Sequence, residues 1–332
     1  MKSKKKKTKG ERRKILHQNL VAYSFLAPSL IGVICFSLIP LIISLYVSLT
    51  DWNFSQGLGN WNFIGLTNFI NLWKDEWFLA SLKNTLIFTV VTVPIGLFLA
   101  IIMAVLIDEF CHKKIAGVVR VAMYMPHICN IVAISVVWMA LYSKYGPFTQ
   151  LMRALGWQDP PRFLASYEWA LPAIMLVVIW ASLGYRVFMY SAAITGLPRD
   201  LYEAAEIDGA GTFKIFYKII LPACTPILAT VAIFAAVAQW NSFQDTLIYI
   251  TDQKLYSLQY LLYTYINQAS SLATMVKNST GGALNMAAIA TQQTPTSIRM
   301  TVSVIVVLPI LFIYPLFQRF FVKGIMIGSV KG

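Results

Sequence analysis

The charges of this sequence are separated by long gaps. Thirty-six uncharged residues lie between Lys14 and Asp51, 24 between Lys83 and Asp108, and 23 between Arg120 and Lys144. A further 26 lie between Lys218 and Asp245 and 19 between Arg299 and Arg319, while only Arg186 interrupts the run from Glu168 to Arg199. A helix needs about 20 mainly apolar residues to cross a bilayer. The pattern therefore predicts six spans, at roughly 21–49, 84–107, 121–142, 169–194, 223–250 and 300–318. The runs are continuous rather than alternating in short segments, which excludes a spanning barrel. Only 12% of the residues are charged and 58% are hydrophobic, whereas about 25% are charged in a soluble domain. The expected fold class is an all-α polytopic membrane protein.

The first run is much longer than the apolar core of a signal peptide, so it is read as a span that is retained. Cys35, Cys111, Cys129 and Cys224 stand singly, without metal or disulfide spacing, and are read as small packing residues. His17, His112 and His127 are far apart in sequence. There is no GxxxxGK[ST], HExxH or GxSxG, so the chain is expected to bind no cofactor and to catalyse no reaction.

Nine of the 27 basic residues fall within the first 14 positions. A basic tail beside a span orients the chain and attracts anionic lipid, and no aromatic-interleaved basic face suggests nucleic acid. Six spans place both termini on one side. Taking that side as cytoplasmic puts 18 basic residues inside, 8 outside and Arg186 within the membrane. The expected organisation is a basic tail at 1–19, a six-helix membrane bundle at 20–322 and a cytoplasmic tail at 323–332. The external segments are then 51–83, rich in Trp, 143–168 and 251–299. In the second, an amphipathic helix is expected to stop at Asp159-Pro160-Pro161. In the third, Gly281-Gly282 and Pro295 punctuate short helices on the outer face.

The longest inner segment, 195–221, reads TGLPRDLYEAAEIDGAGTFKIFYKIIL. Pro198 suits a first helical turn, LYEAAEI forms a short helix offering Leu201, Ala204, Ala205 and Ile207 for packing, and Asp208-Gly209-Ala210-Gly211 breaks it. A second helix follows, with Phe213, Phe216, Ile219 and Ile220 at helical spacing, before Leu221-Pro222 opens the fifth span. A solvated connector is one reading. A docking surface is the other, since small residues permit close approach and the aromatics would anchor the helices to the bundle.

Glu203-Ala204-Ala205-x-x-Asp208-Gly209-Ala210-x5-Phe216-x-x-Ile219-x-Leu221-Pro222 matches the EAA-loop pattern of binding-protein-dependent ABC importer permeases at every fixed position. AYSFLAPSLIGV at 22–33, LYVSLTDWN at 45–53, FIGLTNFINL at 63–72, NTLIFTVVTVPIGL at 84–97 and QRFFVKGIMIGSVKG at 318–332 resemble the carbohydrate, maltose-type branch. The resemblance covers essentially the whole chain beyond the basic tail. It implies a type I permease in the bacterial cytoplasmic membrane, with the loop as a coupling helix. The partners implied are a second, different permease subunit, two cytoplasmic ABC ATPases that bind ATP and Mg, and an extracellular or periplasmic sugar-binding protein. The chain would then import an oligosaccharide by alternating access; an importer of another solute is the alternative, and a stand-alone channel or intramembrane enzyme stands further off. Glu203 is similar to the glutamate that pairs with a basic residue of the ATPase, and Gly209 to the turn glycine. The C-terminal segment, with Lys323, Gly324, Gly328 and Lys331, is either a frayed end or similar to the tail that one permease inserts between the ATPases. The first half resembles the partner without such a tail, so the position the chain fills among the two stays open.

Polar groups within spans are candidate pathway residues. Gln239, Trp240, Asn241 and Gln244, with Asp245, cluster in the fifth span, and Tyr185 and Arg186 lie in the fourth. An aromatic face suits sugar C–H groups and amides suit hydroxyls; interhelical hydrogen bonding would explain the same residues. Two partners are open to Arg186: Asp245, or a sugar carboxylate.

Overall fold

The computed structural model describes residues 9–53, 61–198, 200–278 and 296–329. Among them there is no strand, only an isolated bridge between Thr50 and Phe63. Five helices are long and apolar enough to cross a membrane, and six if a bent pair counts as one span. The chain divides into two compact units, Met1–Ile70 with Asn285–Ile305 and Asn71–Leu284 with Val306–Gly332.

In the first unit α1 (Lys9–Val33) continues through a widened turn at Ile34–Leu38 into α2 (Ile39–Ser48). Phe25, Phe36 and their apolar neighbours are exposed, an arrangement suited to lipid or another subunit. The end of α2 is tied down by buried Asn68 on α3 (Thr67–Leu72), whose amide donates to the carbonyls of Ser48 at 2.9 Å and Thr50 at 2.8 Å. The start of α14 (Thr296–Ser329) joins this knot, the Ser297 N–H donating to the Trp52 carbonyl at 3.2 Å.

The second unit is built on α4 (Glu76–Phe110) and α8 (Tyr167–Thr195). Asp75 caps α4 by accepting from the Phe78 N–H at 3.0 Å. Its 35 residues reach roughly 52 Å at 1.5 Å per residue, longer than the hydrocarbon core. Against α8 lies α5 (Lys113–Ile128), followed by α6 (Ile131–Leu141). The span expected at 121–142 is thus two helices bent by 97°. Pro126 lacks the N–H that would hold the last turn of α5. Asn130 then starts a new helix, its side chain accepting from the Val132 N–H at 2.8 Å.

The fifth span also differs from expectation. After α9 (Asp200–Ile207), helix runs from α10 (Thr212–Ile215) through a widened turn at Phe216–Ile220 into α11 (Leu221–Trp240). It stops at 241–243, and α12 (Gln244–Tyr249) begins separately. The amphipathic α7 (Pro147–Ala154) ends before Gly156, at φ +98°, rather than at Asp159. The segment after α12, expected to hold only short helices, contains the long α13 (Leu258–Asn278). Gly281, Gly282, Pro295 and residues 1–8 lie outside the described residues.

Candidate functional site

The loop between α8 and α11 owes its shape to local hydrogen bonds. Gly209 sits at φ +73°, a left-handed conformation that glycine adopts without a Cβ penalty. Its N–H donates to the Glu206 carbonyl at 3.0 Å, and the Ala210 N–H to the Ala205 carbonyl at 2.9 Å. Together these form a Schellman cap, which accounts for the spacing of Ala205, Gly209 and Ala210. Ala205 is 8% exposed and belongs, with Ile215, Ile220 and Cys224, to a cluster that includes Ala104, Ile107 and Tyr190; Tyr202, Ala210 and Phe216 pack against it. Burial pushes the Tyr202 phenol above its ordinary pKa, with Cys224, Glu109 and Asp108 adding to the shift.

The outward side carries Glu203, Ala204 and Asp208, all exposed. It also carries Ile207 at 86% and Phe213 at 90% exposure. Of the residues expected to pack, Ala205, Phe216, Ile219 and Ile220 do so, while Leu201, Ala204, Ile207 and Phe213 are exposed. Periodicity could not relate the faces of the two helices, because the turn at Asp208–Gly211 resets the helical phase between them. Beside the loop, Asp108 at the end of α4 forms an ion pair with Arg120 of α5.

Higher in the bundle, Tyr185 stacks on His127 with ring centroids 5.0 Å apart, and Tyr124 lies against both His127 and Phe188. Arg186 turns the other way: it is 4% exposed and packs against Gly96 of α4. It forms no ion pair with Asp245, so that expected pairing is not found. Gln239, Trp240 and Asn241 end α11 while Gln244 and Asp245 start α12, so the polar group gathers at a helix break rather than on one face. Trp240 is buried and its indole N–H donates to the Val306 carbonyl at 3.0 Å. Asn241 donates to the Val237 carbonyl at 2.9 Å and accepts from Gln259 at 3.1 Å. Gln244 is exposed. Gln239 lines a small, mainly apolar cavity of about 20 Å³, whose polar lining also comes from Asn84, Ser242, Asp245 and Ser257.

A larger cavity, about 210 Å³, opens where α5 breaks into α6. His127, Cys129, Ser182, Asp245 and Tyr249 supply its polar lining. His127 and Tyr249 had no individual signal in the sequence; the signal for the break itself was the Pro126…Asn130 pair inside an uncharged run. Lys323, Gly324 and Gly328 lie on the helical backbone of α14, and Lys331 lies outside the described residues. Among the described residues no cluster of His, Cys, Asp and Glu could hold a metal ion.

The family profile described as "Binding-protein-dependent transport system inner membrane component" matches residues 93–327. The chain belongs to this family. It is a transport subunit rather than an enzyme, and a multi-pass membrane protein of the type I permease fold. The diacetylchitobiose uptake system permease protein NgcF of Streptomyces coelicolor is 29% identical over 244 residues, 70% of this chain and 68% of that one. The lactose transport system permease protein LacF of Rhizobium radiobacter is 30% identical over 222 residues, 67% and 73% of the two chains. In fold, the chain is similar to one in the crystal structure of a bacterial alginate ABC transporter in complex with an alginate pentasaccharide-bound periplasmic protein. That match has a TM-score of 0.70 at 22% identity and covers 92% of this chain and 96% of the other.

Proposed function

We propose that this chain is the permease subunit of an ATP-driven oligosaccharide importer, forming half of the pathway beside a second, different permease chain. In this reading α9 docks on one of two cytoplasmic ATPases, which bind the ATP and Mg, and an external sugar-binding protein delivers the cargo. Both termini face the cytoplasm, in keeping with the basic first 14 residues. Glu203 meets a basic residue of the ATPase, and the segment bearing Lys323, Gly324, Gly328 and Lys331 reaches between the ATPases. The cargo class is supported by the names of the two relatives and by the aromatic and amide groups at Tyr185, Gln239, Asn241 and Gln244. Trp240 takes a supporting place behind them, because its N–H is already engaged.

The observation that carries the coupling reading is the two-sided loop. Ala205 and Ala210 fix it to the bundle, while Ile207, Phe213 and Glu203 are presented outward. Two large apolar side chains exposed at a cytoplasmic turn cost free energy unless a partner covers them. The test is co-expression with the neighbouring ATPase, permease and binding protein, followed by sugar uptake in proteoliposomes. An Ile207→Ser/Phe213→Ser double variant should insert normally yet lose the co-purifying ATPase. Retention of the ATPase and full uptake by that variant would refute the docking role.

A further inference from the structure

We infer that α7 lies in the phospholipid headgroup layer, with Leu151 and Leu155 at the acyl boundary and Lys144 and Arg153 on lipid phosphates, and that this contact sets the depth of α6.

Residues 142–166 join the end of α6 to the start of α8, two parts of the membrane-crossing bundle, so they lie at a membrane–water boundary. From there α8 crosses to the coupling loop, which places α7 on the opposite face. Short contacts hold α7 at that level. Phe148 stacks on Trp138 of α6 with ring centroids 5.9 Å apart, and the Thr149 hydroxyl donates to the Ser143 carbonyl at 2.9 Å. The Tyr142 hydroxyl donates to the Ala173 carbonyl of α8 at 3.0 Å.

At about 100° per residue, α7 has three sides. Phe148 and Met152 pack on the cluster around Trp138 and Tyr142, and Thr149 is buried beside them. Gln150 and Arg153 form an exposed polar side. Between these two lies a third, where Leu151 is 56% and Leu155 73% exposed. The apolar stripe is thus wider than the bundle covers, and a helix lying in the interface buries the remainder in lipid. Exposed Tyr145 and Trp157 flank it, and Trp157 meets Trp169 in the first turn of α8 at 6.2 Å. Such aromatics mark the headgroup level.

Charge and area favour lipid over a protein as the occupant. Between Tyr142 and Gln158 the charged residues are Lys144 and Arg153, both exposed, with no acid among them; Asp159 and Glu168 follow only after Trp157. Two unopposed cations suit lipid phosphates, above all in a leaflet containing anionic lipid. The leucine strip belongs to a helix of eight residues, roughly 12 Å long, whereas a stable protein interface takes about 800 Å² from each partner.

The contact has a consequence for the bent span. With 11 residues, α6 reaches roughly 16 Å, about half of the ~30 Å hydrocarbon core. Its own length therefore cannot fix its depth. Anchored in the headgroups and stacked on Trp138, α7 can.

The test uses the assembled transporter in vesicles of phosphatidylethanolamine and phosphatidylglycerol, with Cys35, Cys111, Cys129 and Cys224 replaced. A nitroxide is attached at Leu155→Cys or Gln150→Cys, and its collisions with oxygen, enriched in lipid, and with a water-soluble nickel chelate are measured. The oxygen-to-nickel ratio should be several-fold higher at 155 than at 150; equal ratios overturn the lipid contact. Shielding of the 155 label from both reagents overturns it in favour of a protein partner. Phosphatidylcholine in place of phosphatidylglycerol should move the 155 label toward water, and Lys144→Gln/Arg153→Gln should abolish that shift. A shift that survives the double variant overturns the phosphate role. A nitroxide at Val137→Cys on α6 should change depth in Leu151→Ser/Leu155→Ser, and an unchanged depth overturns the control of α6.

Discussion

Replacing Gly184 by Ala should separate α5 from α8. A Cβ built at Gly184 would lie 2.7 Å from the backbone nitrogen of Tyr124 and nearer still to the carbonyl of Met123. Bringing the nitrogen alone to the 3.4 Å of ordinary contact requires an opening of about 0.7 Å, and the carbonyl requires more. The obstructing atoms are main chain within a helix, so no rotamer change relieves them. Overpacking of this kind costs about 1–3 kcal/mol, and the upper end applies because a whole helix must move. At a few degrees per kcal/mol, thermal unfolding in detergent should fall by roughly 5–10 °C.

Transport should fall as well, because Tyr124 and His127 follow Met123 on α5 and hold the stack with Tyr185. Gly117→Ala serves as the control: it lies on α5, the partner helix, with nothing within 4 Å of the added carbon. Gly184→Ala with the stability and uptake of the Gly117→Ala protein would show that the close helix contact does not set the geometry of this region.

Three further outcomes are expected. Asp108→Asn or Arg120→Gln breaks a partly buried ion pair and should cost about 1–2 kcal/mol, between exposed and buried values; a swapped Asp108→Arg/Arg120→Asp protein should recover part of the Tm. Hydrogen bonds from the Asn62 backbone and side chain hold Asp51 below its ordinary pKa. The sign follows: the link between 51 and 62 persists above about pH 4, loosens as the pH falls through the lowered value, and loses this response in Asp51→Asn, as hydrogen exchange at 61–64 would report. Deletion of residues 324–332 should lower transport-coupled ATP hydrolysis more than membrane insertion; unchanged coupling would remove any role for the tail between the ATPases.

The spans were legible because charge gaps measure how far a chain stays apolar, and α4, α8 and α14 follow them closely. The coupling turn was legible for a different reason: Ala205, Gly209 and Ala210 are joined by hydrogen bonds local in sequence, so their spacing is itself the geometry. The break after α5 escaped the count of charges, which registers length and not direction; its signal lay in Pro126 and Asn130 instead. The facing of Arg186 was hidden. Helical phase places it one residue past Tyr185, but only the missing side chain of Gly96, on a helix 90 residues earlier, makes room for a guanidinium there. Burial of that kind is settled between helices and cannot be read within one.

The same contrast bears on how motion could reach the cargo. From Thr212 to Trp240 the chain is one helical segment of 29 residues, roughly 43 Å long. It begins beside the Schellman-capped turn and ends at the 241–243 break, next to Asp245. The turn is held by its own hydrogen bonds, so force applied through Ile207 and Phe213 would move it as a body and tilt or rotate the rod. The regular hydrogen-bond ladder of this rod is interrupted at the widened turn at Phe216–Ile220 and again at Pro226, which has no N–H to donate, and such places accommodate bending. Above them, the shift arrives at Gln239 and Asn241, which carry no further rigid helix. In the proposed importer, the break in the fifth span therefore uncouples α12 from the rod: a helix continuous to Tyr249 would carry Gln244 and Asp245 along with it.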